Sequence, residues 1–315
     1  MSADEYQRFI GSAFLTGHLS DSPSLRLVIV HEPTDVLTSP GSHPFVLCVV
    51  GDAFGGAGPV VADLVVSRDD LDAVRQTVTK APITAISLAL HLRVVEGLEP
   101  ELGLAAESAV YSMTQSGEEF AAWRSEAHQV IDPSTAPRLT MARTGGDLDI
   151  VLDRPERHNA IDARMRDELC DALTLAVADD SIEHVRLAGN GPSFCSGGDL
   201  GEFGSRSDPA GAHTIRLTNS PARLMHRLAH RTTVHIHGAT LGGGIEMAAF
   251  AHRVIASADT VVGLPEVGLG LIPGAGGTVS MTRRIGRQRT AALALTGRTI
   301  TARTALEWGL VDEVN

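Results

Sequence analysis

Residues 237–248 read HGATLGGGIEMA, and an apolar, β-branched run at 233–237 leads into them. The run predicts a strand, the three consecutive glycines a tight turn, and residues 244–252 a helix that meets a further strand at 253–256. Such a turn exposes backbone N–H groups at a helix start, where the peptide dipoles favour negative charge. Glu246 comes two residues after the glycines and stands among Ile245, Met247 and Ala248. A carboxylate in so apolar a stretch is seldom buried without a partner or a function.

Towards the N-terminus the pattern recurs. A strand near 184–187 precedes a second glycine turn, SFCSGGDL at 193–200, and a helical stretch at 221–229 joins the two turns. Before them lie a strand at 148–152 and a helix over 162–177, with Ile161, Met165, Leu169 and Leu173 on one stripe. Towards the C-terminus, GLPEVGLGLIPGAGGTVSMTRRIG at 263–286 sets Glu266 after Pro265 in another apolar stretch. The alternation of strands with crossover helices predicts an α/β fold.

Taken singly, each glycine turn can be a tight turn and nothing more. As a pair they can stabilise an oxyanion, such as a thioester carbonyl becoming an enolate. If the fold joins Glu246 to Glu266, repulsion and desolvation raise one pKa and create the acid and base that water addition needs. Two separately satisfied carboxylates are the alternative.

The N-terminal half has a different texture. Residues 25–67 are β-rich, with apolar runs at 25–30, 45–50 and 60–66 around glycines at 55–58. From 69 to 123 the pattern turns helical and accommodates two or three helices, including the apolar segment 83–95. Residues 128–147, rich in Pro, Ser, Thr and Gly, predict a linker with at most one short strand.

At 315 residues, 43% apolar and 20% charged, the chain can bury one large core with an appendage, or two modest ones. A formal charge of -12 speaks against nucleic acid or an anionic membrane as partner, since either needs a broad basic face. The start MSADEYQRF does not have the pattern of a signal peptide, and no apolar run reaches membrane-spanning length, so a cytoplasmic location is expected. Cys48, Cys170 and Cys195 are widely spaced and predict reduced thiols.

RPERHNAI (154–161), SFCSGGDL, HGATLGGGIEMA and GLPEVGLGLIPGAGGT, followed by LTGRTITARTALEWGLVDEV (295–314), together resemble the enoyl-CoA hydratase/isomerase, or crotonase, superfamily. The resemblance implies a crotonase-like spiral of ββα units over 148–315, a trimer-based homo-oligomer, and an acyl-CoA thioester as substrate with no separate cofactor. It further implies that the N–H groups of Ser196 and Gly243 form the oxyanion hole. Glu246 then activates water and Glu266 protonates Cα. Arg157, His158 and Ala160 fall in the stretch expected against CoA, and Gly197, Gly198, Asp199, Leu200, Gly242 and Pro265 in the substrate-binding motifs.

Ordinary members of that family continue into covering helices where this chain stops at Asn315. Residues 69–124 resemble that tail, with APITAISLALHL at 81–92 and GLEPELGLAAESAVYSMTQSGEEFAAWR at 97–124, as though it had moved to the front. The expected organisation is a β-rich region at 1–67, the tail-like helical segment at 68–130, a linker at 131–147 and the catalytic core at 148–315.

Three other patterns read as structural. His226, His230, His235 and His237 could suggest a metal, but two of them fall on the strand entering the glycine turn, and no metal site is expected. Cys195 has no His placed as its base, and the glycines at 274–277 lack the Lys of a phosphate loop. Enoyl-CoA hydratase or 3-hydroxyacyl-CoA dehydratase activity is therefore the expectation. Isomerase or thioester hydrolase chemistry on the same scaffold, or a CoA-binding partner subunit, stands as the alternative.

Overall fold

The computed structural model describes residues 26–31, 44–56, 61–127, 134–205 and 208–315. The first described elements form a parallel sheet of β1 (Leu27–Val30), β2 (Val46–Val50) and β3 (Leu64–Val66), in that order. Four helices follow: α1 (Leu71–Lys80), α2 (Pro82–Val95), α3 (Pro100–Gln115) and α4 (Glu118–Glu126). The sequence suggested two or three. Pro82 and Pro100 start new helices, and Gly117 separates α3 from α4.

Next come β4 (Leu139–Thr144) and β5 (Asp147–Leu152), an antiparallel hairpin paired along its whole length. The expected linker at 131–147 is thereby corrected: its second half is an edge strand of the main sheet, and the core begins before Leu139. Alternating burial along β5 and the turn at Gly145, whose φ is +61°, fix that pairing. Beyond β5 lie α5 (Ala163–Ala178), β6 (His184–Gly189), α6 (Pro209–Thr218), α7 (Pro221–Leu228), β7 (Thr232–Ile236), β8 (Ala239–Leu241) and α8 (Gly243–Ala248). The chain finishes with β9 (Arg253–Ala256), β10 (Val261–Gly263), α9 (Gly277–Thr296, broken at Gly286), β11 (Ile300–Thr301), α10 (Ala302–Trp308) and β12 (Glu313–Val314). Helix α6 is new: its short apolar spacing gave no signal in the sequence.

The main sheet has the order β12-β9-β7-β6-β5-β4, and a second small sheet the order β11-β10-β8. Parallel bridges Cys195 to Thr240 and Ile161 to Gly198 carry the second sheet onward. Each turn of the chain thus lays one strand in the large sheet, one short segment in the small sheet, and then a helix. That is the ββα spiral, and it stacks the glycine turns beside one another.

The front helices are part of the same body. Leu88, Ala89 and Leu92 of α2 are buried in the core that includes α9, and Gly103 of α3 lies so near Val279 that a Cβ would come within 2.9 Å. Buried Asp63 joins the front sheet to the rest: Arg93 of α2 donates to its oxygens at 2.9 and 2.6 Å, and Arg287 of α9 lies 3.6 Å away. Among the described residues no single helix is long and apolar enough to cross a membrane.

Candidate active site

The two glycine turns meet backbone to backbone. A Cβ on Gly244 would stand 2.5 Å from the Cys195 carbonyl oxygen, and one on Gly197, at φ +97°, would stand 3.1 Å from that of Leu241 and 3.6 Å from the nitrogen of Gly243. Only glycine permits this approach. Gly243 opens α8, so its N–H has no carbonyl a turn behind it, and it has no hydrogen-bond partner among the described residues.

The N–H expected beside that of Gly243, on Ser196, is already committed, and the free one lies two residues further on. The Ser196 N–H donates to the His158 carbonyl at 2.9 Å and is not available to a ligand. In the parallel bridge that follows, Ile161 and Gly198 alternate, so Ile161 N–H donates to Gly197 and Asp199 N–H to Ile161. The Gly198 N–H is left unpaired among the described residues, and its nitrogen lies 3.9 Å from a Cβ built on Gly243. Gly198 and Gly243 are therefore the adjacent free donors.

Three buried carboxylates gather beside them. Glu246 sits in the single exposed-free turn of α8 and its Oε2 accepts the N–H groups of Ala275 and Gly277, each at 2.8 Å. Its Oε1 has no hydrogen-bond partner among the described residues. Burial pushes the Glu246 pKa up to about 7 against the lowering effect of those two donors. Glu266 opens a short 3-10 turn after Pro265, with Oε1 over Gly242 and Oε2 buried and unpartnered. Burial first, and then the charges of Glu246 and Glu107, raise it well above the ordinary carboxylate range.

Glu107, on α3, was missed by the sequence reading. Its Oε1 accepts the Gly276 N–H at 2.8 Å, and its Oε2 accepts the Thr278 N–H at 3.0 Å and the Thr278 hydroxyl at 2.6 Å. Four successive N–H groups at the start of α9, from Ala275 to Thr278, are thus divided between Glu246 and Glu107. These are the orphan donors of a helix N-terminus, and they face its positive end. Burial, then the Glu246 charge, pushes Glu107 up to about 8. His91 Nε2 lies 2.9 Å from the Thr278 hydroxyl, and burial lowers this imidazole to about 4. The residues 105–109 read AAESA, the same apolar setting that drew attention to Glu246, and that was the available signal.

The RPERHNAI stretch is organised by its own bonds. His158 and Asn159 have φ of 52° and 53°, and the His158 ring lies 2.9 Å from the Ser193 hydroxyl, a contact that occupies Nδ1. The buried Asn159 side chain accepts from Arg154 N and donates to Asn190 and Ser193 carbonyls. Arg154, 1% exposed, pairs with Asp199 at 2.7 Å and donates to the Ala160 carbonyl. Asp199 and Ala160 accordingly brace the loop. Leu200 and Pro265 are on the surface, and Arg157 ends the 3-10 turn that begins at Pro155.

A cavity of about 260 Å³ opens beside this cluster, walled by Ile161, Met247, Ala275 and Gly276 from the core and by Glu107 and Tyr111 from α3. Cys195 is fully buried and its thiol is pushed up to about 12 by burial, so it is no nucleophile. Among the described residues no group of three His, Cys, Asp or Glu side chains is placed to hold a metal ion.

The profile of the enoyl-CoA hydratase/isomerase family matches residues 144–315. The chain belongs to that family. Its sequence is 38% identical over 166 residues to YngF of Bacillus subtilis (strain 168), across 52% of this chain and 64% of that one. It is 32% identical over 179 residues to the 2,3-dehydroadipyl-CoA hydratase of Escherichia coli (strain K12), across 56% and 68%. The chain thus spans about two thirds of the length of such relatives, and less than that of YngF. Among solved structures, the enoyl-CoA hydratase of Thermoplasma volcanium GSS1 superposes with a TM-score of 0.51 at 33% identity, over 57% of this chain and 72% of that one. The Bacillus anthracis enoyl-CoA hydratase gives 0.52 at 32%, over 56% and 70%. Both carry the crotonase fold found here.

Proposed function

We propose that the protein adds water to a 2-enoyl-CoA thioester, or removes it from a 3-hydroxyacyl-CoA thioester. The observation that carries this reading is that Glu246 and Glu266 are both buried beside the free N–H groups of Gly198 and Gly243, each with one carboxylate oxygen uncommitted. The thioester oxygen binds those two N–H groups, which stabilise the enolate as charge moves onto it. Glu246, ionised, takes a proton from water through Oε1 while the water oxygen bonds to Cβ. Glu266, kept protonated by its surroundings, gives its proton to Cα as the enolate collapses. One water is consumed, one C=C bond is lost, and solvent exchange restores both carboxyls. Neither a metal nor a redox cofactor is required by these steps.

Residues 68–130 act in this reading as the family's covering helices moved to the front of the chain. Their contacts with α9 and the entry of Glu107 into the carboxylate cluster support that. A trimer-based homo-oligomer in the cytoplasm completes the proposal, and sedimentation of the purified protein checks the assembly.

The test is substitution of each glutamate. Glu246→Gln and Glu266→Gln keep the shape but cannot exchange a proton, and each should lower kcat for hydration by about 10²- to 10⁴-fold. Full hydration by either variant would sink the two-glutamate mechanism. Glu266 is the more weakly tethered of the two, so activity that depends on Glu266 alone would move the assignment to an isomerase.

A further inference from the structure

The charged groups around the cavity are unevenly matched. Six of its lining residues are ionisable acids or arginines: Glu107, Asp162, Arg166, Asp199, Glu202 and Arg216. Glu107 has both oxygens taken by Gly276 and Thr278. Asp162 pairs with Arg138, Asp199 with Arg154, and Arg166 with Asp167. Glu202 accepts the Ala163 N–H. Of the two arginines, Arg216 has no ion-pair partner among the described residues, whereas Arg166 has Asp167.

Its position is nevertheless fixed. Nε donates to the Ser108 hydroxyl at 3.1 Å, Nη2 donates to that of Ser112, and the guanidinium lies 4.4 Å over the Tyr111 ring. Ser108 is itself held by His213 at 2.8 Å. Two of five donors are used, and those remaining include one on Nη2 and both on Nη1, the end-on pair that matches the two oxygens of a carboxylate. Burial lowers the Arg216 pKa, with Tyr111 and Glu107 acting the other way. A desolvated cation held in place by neutral hydroxyls, facing a cavity, is a receptor for an anion.

We infer that the acyl group taken by this site bears a carboxylate at the end remote from the thioester, and that Arg216 receives it. This inference rests on the acyl-CoA reading given above, since the same cavity is walled by Ala275, whose N–H donates to Glu246, and by Gly276. A neutral acyl chain would leave the half-buried guanidinium without a counter-charge, whereas a distal carboxylate supplies it. Recognition at that end also sets the register of the chain, placing Cα and Cβ against the two glutamates.

Titration calorimetry with the unreactive saturated thioesters adipoyl-CoA and hexanoyl-CoA tests this without any turnover. The wild-type protein should bind adipoyl-CoA about tenfold or more tightly than hexanoyl-CoA, the size expected for a charge-assisted hydrogen-bonded pair. Arg216→Gln should bring that ratio towards one, and Arg216→Lys, which keeps the charge without the fork, should give an intermediate ratio. A loss of packing alone would weaken both thioesters and leave the ratio as it was. Equal affinities in the wild type, or a ratio unchanged by Arg216→Gln, would overturn the inference while leaving the acyl-CoA reading intact. Failure of both thioesters to bind would overturn the two together.

Discussion

Two glutamates from distant parts of the chain cap the same helix, and they are used in opposite ways. Glu246 comes from the spiral core and spends one oxygen on Ala275 and Gly277, leaving the other free. Glu107 comes from the front helices and spends both oxygens, on Gly276 and on Thr278. Burial and peptide dipoles are common to both. In the proposed mechanism, what separates the reactive carboxylate from the scaffolding one is unspent hydrogen-bonding capacity, not depth or charge. The front half thus supplies the acceptor for the N–H groups of that helix start which the core's glutamate leaves over, while the oxygen used in the proposed mechanism belongs to the core.

The most drastic way to break that division is to remove the front half. A chain beginning near Thr140 would strip β4 at its edge and uncover the faces of α9 against which α2 and α3 pack. Exposed apolar patches larger than a few hundred Å² drive association. Such a fragment should be insoluble or inactive in expression and hydration assays. If residues 140–315 proved monomeric, soluble and fully active, the front half would be an independent unit and Glu107 irrelevant to Glu246.

A narrower cut addresses the core alone. Gly243 is the first residue of α8, where proline is sterically welcome, so Gly243→Pro should fold while its ring replaces the N–H that faces Gly198. Losing one oxyanion donor costs about 10²- to 10³-fold in kcat. The paired variant Ser196→Ala leaves every backbone N–H in place and should fall far less. Turnover of Gly243→Pro near the wild-type value would show that the thioester oxygen is held elsewhere.

The contrast between the halves also explains what was legible in the sequence. In the core, glycine is demanded at Gly197 and Gly244 by close backbone approach and at Gly242 by the Glu266 carboxylate, so the turns are written in residue identity. Glu246 and Glu266 could be placed at once on that frame. The donor beside Gly243 could not: Ser196 and Gly198 differ by two residues in one loop, and only the hydrogen bond from Ser196 to His158 decides between them. In the front half the pattern is hydrophobic periodicity, which many sequences satisfy. It revealed helices and their apolar faces but not that Glu107 points inward, because an inward glutamate and a solvated one look alike until the opposite helix terminus is seen. The linker was misplaced for a related reason. β4 is exposed along nearly all its length, so its register comes from the hairpin and not from an apolar face.

The smallest expected effect is the most informative about the pair. Glu107 and Glu246 have folded-state pKa values of about 8 and about 7, both above the ordinary 4.5, so the native state holds protons that the unfolded chain has released. The stability these groups contribute is fully present below pH 4.5 and is lost as pH rises through 7 and 8. Glu107→Gln removes one of the two titrating groups and should flatten the upper part of that decline in denaturant melts recorded across pH. It also removes the Glu107 charge that helps to raise Glu266, and so lowers the Glu266 pKa. The alkaline limb of the kcat/KM profile, set in the proposed mechanism by the acid Glu266, should therefore move to lower pH. An amide that merely loosened the α9 terminus would reduce kcat at every pH without moving the limb. If the limb stays where it is in the wild type, Glu107 is scaffold only, and the front half touches the chemistry through shape alone.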